Sequence, residues 1–321
     1  MTFTDETRIE KLEEFPSRTD FDASFAPVQP TTRLHAEAAE VLNGTVVERT
    51  RVVLKDRLIR YPAMIAIQQE AEWLFHEPRR VRARGLVVSS KAGNGKSSLA
   101  QAIHRRLSGL RGESLSGVLT ISIAGVRDAR AVYGRIMEEL GSPARVSHRM
   151  SDREMVVTRL LRAVDCRLMI LDEVQDVLLG TEREQRRALE AIKFLMNELS
   201  LPILAFGTER AADGFSSDAH LAARFAERSL PRWKPDDTLA NFLGTYERFL
   251  PLPEPSELGS AEKVEFLSKI GNGVLDAIVQ RVQNAALHAI ASGAPRVTLA
   301  LLEQATSRPG PCPIGQSERS R

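Results

Sequence analysis

Short apolar runs alternate with longer amphipathic stretches between residues 85 and 208. Leu189, Ile192, Met196 and Leu199 fall on one face at helical spacing, which predicts a strong helix over residues 182–199. Buried strands separated by helices predict βαβ units and a parallel sheet with helices on both faces. The predicted strands cover residues 85–89, 118–123, 167–171 and 202–206, and the other predicted helices 97–107 and 126–140.

The pattern changes on both sides of this alternating region. Residues 33–76 predict helices broken near Tyr61-Pro62, because a proline disfavours helix in the residue before it, and residues after 235 show helical periodicity only. Residues 1–32 are acidic and then proline-rich, without a period. We therefore predict a flexible N-terminal arm over 1–32, an α/β core with N-terminal helices over 33–235, a helical domain over 236–306 and a disordered tail over 307–321.

Composition excludes several classes of protein. A chain of 321 residues can form about two domains with ordinary cores. The net charge of +2 neither requires nor excludes a nucleic-acid partner. Cys166 and Cys312 are too few for a disulfide framework or a thiolate metal site. Because no apolar run approaches a membrane span and the acidic N-terminus has no apolar signal region, we expect a cytoplasmic protein without a membrane partner.

A phosphate-binding loop is predicted between the first strand and the first helix of the alternating region. Gly93 and Gly95 leave the loop backbone open to phosphates, which the N–H groups of the loop and the helix N-terminus would bind. Lys96 would reach the β- and γ-phosphates, and the Ser97 hydroxyl would bind Mg²⁺. The predicted ATP-binding loop is Ser90, Lys91, Ala92, Gly93, Asn94, Gly95, Lys96 and Ser97, with serine at Ser90 where the pattern has glycine. A simple glycine turn followed by a surface lysine is the structural alternative.

Two acidic residues follow the third predicted strand. Asp172 would bind Mg²⁺, and Glu173 would polarise the water that attacks the γ-phosphate. Ligands of parallel sheets bind at the carboxyl ends of the strands, where both residues are predicted to lie. Two solvated acids after a strand would be the structural alternative.

Two further catalytic candidates follow the fourth predicted strand. Thr208 would orient the attacking water, unless it only caps the following helix. Arg224 is the preferred candidate for an arginine that stabilises γ-phosphate charge in a neighbouring subunit, with Arg228 and Arg232 as the alternatives. Each of these arginines could equally be surface charge.

These elements together resemble an AAA+ ATPase, a P-loop NTPase with a parallel sheet flanked by helices and a small C-terminal helical lid domain. Residues 60–255 more closely resemble the TniB family of transposon-encoded, ATP-binding regulators related to TnsC. The resemblance is carried by residues 170–187, 193–202, 206–208, 230–233 and 249–252. Family members often have histidine at Gln175 and glycine at Ser90, and the place of a lid arginine is taken by residues 271–276, which contain none.

The resemblance implies an ATPase that uses ATP and Mg²⁺, assembles on double-stranded DNA as a ring or helical filament of identical subunits, and recruits a DDE-type transposase. A TniQ-type target-site adaptor is a further implied partner, and hydrolysis would disassemble the complex. The missing lid arginine predicts slow hydrolysis. An ATP-gated DNA scaffold with little hydrolysis, a replication-type loader and a secretion ATPase remain alternatives.

Several arginine clusters could contact DNA phosphates, although solvated surface is the alternative for each. The resemblance places the region after the second strand against DNA, so Arg127 and Arg130 are the first candidates. The other clusters are Arg79, Arg80, Arg82 and Arg84; Arg105, Arg106 and Arg111; and Arg135.

Overall fold

The computed structural model describes residues 33–109, 117–142 and 149–305. Its centre is a parallel sheet of five strands in the order β2-β3-β4-β1-β5. The strands are β1 (Gly85–Ser89), β2 (Val118–Ser122), β3 (Leu168–Asp172), β4 (Ile203–Gly207) and β5 (Phe225–Ser229). The four predicted strands are confirmed to within one residue at each end.

Strand β5 was not predicted from the sequence. It lies at the edge of the sheet beside β1, and its residues from Ala226 to Ser229 are exposed. An edge strand with exposed Glu227 and Arg228 has no continuous apolar run, which was the signal used for the other four strands.

Helices cover both faces of the sheet. The predicted helices after β1, after β2 and before β4 are confirmed, whereas the helix at Met150–Ala163 is not among the predicted ones. The helices of this part are α3 (Pro62–His76), α4 (Lys96–Gly109), α5 (Ala129–Glu139), α6 (Met150–Ala163), α7 (Glu182–Leu199), α8 (Glu209–Ser217) and α9 (Ala219–Ala222), with a 3₁₀ helix at Val174–Leu179.

The chain before and after this part is helical, as predicted. The flanking helices are α1 (Ala36–Glu40), α2 (Val46–Leu54), α10 (Asp237–Glu247), α11 (Ala261–Ile270), α12 (Leu275–Ser292) and α13 (Leu299–Gln304). Proline at the first position of α3 ends the preceding segment at Tyr61.

One apolar cluster joins the C-terminal helices to the sheet. It contains side chains of β1 and β4 together with Met64 of α3, Trp233, Phe242 of α10 and Val282 of α12. Helix α2 also packs beside α12, where the Gln283 side chain donates to the Val53 carbonyl at 3.1 Å. The N-terminal helices therefore contact the C-terminal helices directly, and the domain boundary at residue 235 stays a prediction.

The predicted arm over 1–32, with Phe15, Phe21 and Phe25, and the predicted tail over 307–321 lie outside the described residues. Within the described ranges, no helix is both long and apolar enough to cross a membrane.

Candidate nucleotide-binding site

The predicted phosphate loop connects β1 to α4 and has the backbone that phosphate binding requires. Gly93 has φ +77° and Gly95 has φ +84°, a region that side chains other than hydrogen rarely allow. A Cβ atom at Gly95 would lie 2.9 Å from Cε of Met64. Ser90 lies outside the left-handed region, and its N–H bonds to the Gly207 carbonyl at 3.1 Å, so serine fits there without backbone strain. The departure from the motif at Ser90 therefore leaves the loop intact.

Lys96 is the first residue of α4, and its side chain turns back over the loop. Nζ donates to the Ser90 carbonyl at 3.1 Å, to the Lys91 carbonyl at 3.0 Å and to Oγ of Ser90 at 3.3 Å. Burial lowers the pKa of Lys96, and the carboxylates of Glu173 and Asp172 oppose part of that shift. A buried cation at the mouth of this loop is suited to an anionic ligand.

Asp172 and Glu173 lie at the carboxyl end of β3, as predicted. Asp172 is the last residue of the strand, and its Oδ1 accepts a hydrogen bond from the Glu173 N–H at 2.9 Å. Glu173 has φ 60°, a left-handed conformation that costs a residue other than glycine about 1–3 kcal/mol. Both carboxylates act electrostatically on Lys96, so the structure brings together the loop and the acidic pair.

Thr208 lies directly after β4 and occupies the N-cap position of α8, without a capping bond from its side chain. Its N–H donates to Oε1 of Gln175 at 3.2 Å, and the amide nitrogen of Gln175 donates to Oε2 of Glu173. In the sequence, Gln175 is distinguished only by its departure from the family pattern. The structure shows that its side chain joins the ends of β3 and β4.

The start of α12 packs directly on the phosphate loop. The Leu275 N–H donates to Oδ1 of Asn94 at 3.0 Å, and the Asp276 N–H donates to the Gly93 carbonyl at 2.9 Å. Asn94 is only 1% exposed. The first six residues of α12, from Leu275, contain Asp276 but no arginine or lysine, so this part of the helix has no lid arginine.

Three arginines are candidates for stabilising γ-phosphate charge in a neighbouring subunit, and their surroundings differ. Arg224 lies before β5, where its carbonyl accepts from the Gly85 N–H at 2.9 Å, so it is at the opposite end of the sheet from the phosphate loop. Among the described residues, the buried Nη1 of Arg224 has no hydrogen-bond partner. Arg228 forms an ion pair with Glu70 at 2.7 Å, and Arg232 is exposed.

The candidate DNA-binding arginines separate into paired and unpaired groups. Arg127 and Arg130 are exposed at the start of α5, and neither forms an ion pair within the described part of the chain. Arg79, by contrast, bonds to the carbonyls of Leu199 and Cys166 and to Asp165. Arg80, Arg84, Arg106 and Arg135 each have a carboxylate partner, and Arg111 lies outside the described residues.

The residues present fit a nucleotide with Mg²⁺. The glycine cradle, the buried ammonium of Lys96 and the N-terminus of α4 suit phosphates, whereas the hydroxyl of Ser97 and the carboxylate of Asp172 are oxygen donors of the kind that Mg²⁺ prefers. In the described ranges, no group of three or more His, Cys, Asp or Glu side chains could hold a metal ion alone.

The order of the strands, the loop before α4 and the acidic end of β3 define an AAA+ P-loop NTPase fold, and solved structures agree. The Aeropyrum pernix ORC2 protein, solved as ADPNP–ADP complexes, is 18% identical with a TM-score of 0.59, over 80% of this chain and 71% of that one. Cdc6p from Pyrobaculum aerophilum is 14% identical with a TM-score of 0.59, over 79% of this chain and 69% of that one. The Aeropyrum pernix ORC1 protein, solved in complex with DNA, is 15% identical with a TM-score of 0.59, over 80% and 68% of the two chains.

The family model described as bacterial TniB protein matches residues 49–235, which is more than half of the sequence. The chain therefore belongs to the TniB family. None of the curated proteins matches it.

Proposed function

We propose that the protein is an ATPase that regulates DNA transposition. It binds ATP with Mg²⁺, assembles on double-stranded DNA, and recruits and activates a DDE-type transposase. The observation that carries the ATP-binding part is the buried Lys96 over a loop with two left-handed glycines, facing Asp172 and Glu173. Membership of the TniB family supports the transposition part.

Each residue of the site has a proposed role in hydrolysis. Lys96 and the loop N–H groups hold the phosphates, while Ser97 and Asp172 hold Mg²⁺, which supplies charge neutralisation at the phosphates. Glu173 accepts a proton from the attacking water, and Thr208 orients that water with its hydroxyl, which makes no capping bond to α8.

The position of Arg224 supports a site shared between subunits. Phe225 is in register with Gly85, so Arg224 lies one position earlier, and the phosphate loop begins at Ser90, six positions beyond the level of Arg224. At about 3.3 Å per residue of strand, the two are roughly 20 Å apart, so Arg224 is suited to a neighbour's nucleotide and not to its own. Copies would then assemble head to tail, an arrangement that gives either a ring or a helical filament.

DNA would contact the loop that follows β2 and the start of α5. Arg127 and Arg130 are exposed there, and neither forms an ion pair with a described carboxylate, although Arg127 acts electrostatically on Glu184. Both are therefore accessible to DNA phosphates. The ORC1 neighbour was solved with DNA, which supports a DNA partner for this fold without placing it. A TniQ-type target-site adaptor completes the proposed set of partners.

Single-turnover ATP hydrolysis, measured with and without duplex DNA, tests the enzymatic part of the proposal. Wild-type protein should bind and hydrolyse ATP, faster with DNA present, and Lys96→Ala should lose tight ATP binding in calorimetry because the loop loses its positioned cation. If the two proteins bind ATP with equal affinity, Lys96 is not a phosphate-binding residue. Transposase capture by the ATP-bound protein on DNA tests the recruitment part.

A second candidate function is an ATP-gated DNA scaffold with little hydrolysis. The observation that favours it is the start of α12, which brings Asp276, and no arginine, to the phosphate loop. Under this alternative ATP binding would still assemble the protein on DNA, and DNA would leave the hydrolysis rate unchanged.

A further inference from the structure

The side chain of Gln175 contacts both the candidate general base and the backbone that presents Thr208. Its amide nitrogen donates to Oε2 of Glu173, and its Oε1 accepts from the Thr208 N–H at 3.2 Å. We propose that Gln175 is a positioning residue for ATP hydrolysis, which holds the Glu173 carboxylate at a fixed place relative to the end of β4. The inference rests on the proposed ATPase function.

The orientation of the amide follows from its two neighbours. A backbone N–H can only donate, so the amide atom that faces Thr208 must be the oxygen. The amide nitrogen then faces Glu173, where it donates to Oε2 of the carboxyl group. Gln175 therefore fixes the position of that group through one of its two oxygens.

The bond also selects which carboxylate oxygen is available for water. Oε2 of Glu173 is engaged by Gln175, whereas Oε1 has no hydrogen-bond partner among the described residues. A carboxylate fixed through one oxygen presents the other in a defined direction. General-base catalysis depends on this geometry, since a proton must be taken at hydrogen-bond distance.

Two features of the local backbone are explained by the bridge. A Cβ atom at Gly207 would lie 2.6 Å from Cβ of Ala211, 2.9 Å from Cγ2 of Val174 and 3.1 Å from Oε1 of Gln175, so glycine there leaves room for all three side chains, the amide included. The left-handed backbone of Glu173 is unfavourable alone and needs neighbours that hold it. Gln175 supplies one such contact, Asp172 a second through the Glu173 N–H, and the Asp176 N–H a third by donating to the Glu173 carbonyl at 3.1 Å.

A matched pair of glutamine variants separates positioning from structural support. Gln185 also donates from its amide, to the carbonyls of Leu178 at 3.0 Å and Gly180 at 2.8 Å, and so fixes the same 3₁₀ segment without contacting Glu173. Gln175→Leu should lower kcat by roughly 10- to 100-fold with ATP affinity unchanged, the scale expected for a misplaced catalytic group. Gln185→Leu should lower thermal stability and leave kcat near the wild-type value. Gln175→His, which offers one ring N–H and one acceptor nitrogen, should restore most of the turnover.

The decisive measurement is a double-mutant cycle with Glu173→Gln under single-turnover conditions. If Gln175 acts through Glu173, Gln175→Leu should slow hydrolysis in the wild-type background and have no further effect in the Glu173→Gln background. Equal losses in both backgrounds, or wild-type turnover in Gln175→Leu, would overturn the inference. If Gln175→Leu does not fold, Gln175→Asn is tested in the same cycle, because a side chain one methylene shorter cannot span both partners.

Failure of the proposed function has a different signature. In that case the wild-type protein itself does not hydrolyse ATP above the Lys96→Ala background, and the inference falls with it. Active wild-type protein with an unaffected Gln175→Leu variant rejects the positioning role alone.

Discussion

Oδ1 of Asn94 accepts a hydrogen bond from the N–H of Leu275, a residue 181 positions further along the chain, at 3.0 Å. The bond joins the phosphate loop to the first residue of α12, next to the bond between Gly93 and Asp276. Two hydrogen bonds thus attach the start of α12 to the phosphate loop. The conformation of the loop therefore depends on the position of that helix.

The contact between Asn94 and Leu275 predicts a loss of ATP affinity in Asn94→Ala. A buried hydrogen bond of this kind contributes about 1 kcal/mol, so ATP should bind about fivefold more weakly and the Leu275 amide should exchange faster with solvent. Calorimetry and hydrogen exchange measure the two effects. Asn241→Ala, at an exposed position of α10, is the matched control and should change neither. Unchanged exchange at Leu275 in Asn94→Ala would contradict the prediction.

Glu173→Gln should keep ATP and Mg²⁺ binding but slow hydrolysis by at least ~10², because an amide cannot take a proton from water. The variant should also remain assembled on DNA, which native electrophoresis or light scattering would detect. Glu182→Gln, at an exposed position of α7, should behave like the wild type. A Glu173→Gln protein with wild-type turnover would move water activation to another residue.

Arg224→Ala should bind ATP normally as a monomer and fail to form ATP-dependent oligomers on DNA. The reason is the distance between Arg224 and its own phosphate loop, which leaves a neighbour's nucleotide as its target. Arg228→Ala should assemble, since Arg228 already pairs with Glu70. Light scattering compares the two variants. If Arg224→Ala forms full oligomers and Arg228→Ala does not, then Arg228 is the arginine that stabilises the γ-phosphate charge of a neighbouring subunit.

DNA binding should weaken as salt rises, with a log–log slope of about −0.9 per neutralised phosphate. Arg127→Ala and Arg130→Ala should each reduce the slope by about one such unit, without a change in sequence preference. Arg135→Ala is the control, because that side chain pairs with Glu138 at 3.3 Å. Filter binding across a salt series provides the slopes. Binding that does not respond to salt, or no binding to duplex DNA, would count against the transposition function as a whole.

ATP affinity should fall at alkaline pH because of Lys96. Burial lowers its pKa in the free protein, whereas a bound triphosphate would raise it. Below the free-state pKa the lysine is protonated in both states and affinity is full. Affinity is lost as pH rises from the free-state pKa toward the bound-state pKa, beginning below the ordinary lysine value of 10.5. Calorimetry in several buffers should show proton uptake on ATP binding there, and binding without proton uptake in that pH range would contradict the prediction.

The residues that the sequence predicted are those whose signals are local. Lys96 follows a glycine loop between a strand and a helix, and Asp172 ends an apolar run, so each can be recognised within about ten residues of chain. Strand β5 was missed because only Phe225 at its start is partly buried, which leaves no run of buried positions to detect. A strand paired on one side only need not be apolar.

Other features of the site depend on contacts that no short stretch of sequence encodes. Asn94 meets Leu275 only because the C-terminal helices fold back over the loop, and Gln175 meets Thr208 across the ends of two strands. One sequence signal for the second contact exists. Gly207 closes a buried strand, and a glycine at such a position often marks the close approach of another group.

If Arg224 completes the ATP site of a neighbouring subunit, as proposed, its placement opposite the phosphate loop sets how many complete sites an assembly can contain. In an open filament, the subunit at one end has no neighbour whose Arg224 could complete its site. The filament therefore contains one complete site fewer than it has subunits. A closed ring has as many sites as subunits. The hydrolysis rate per subunit should therefore rise with the length of an open filament and stay constant for a ring. Measuring that rate as a function of oligomer size distinguishes the two assemblies.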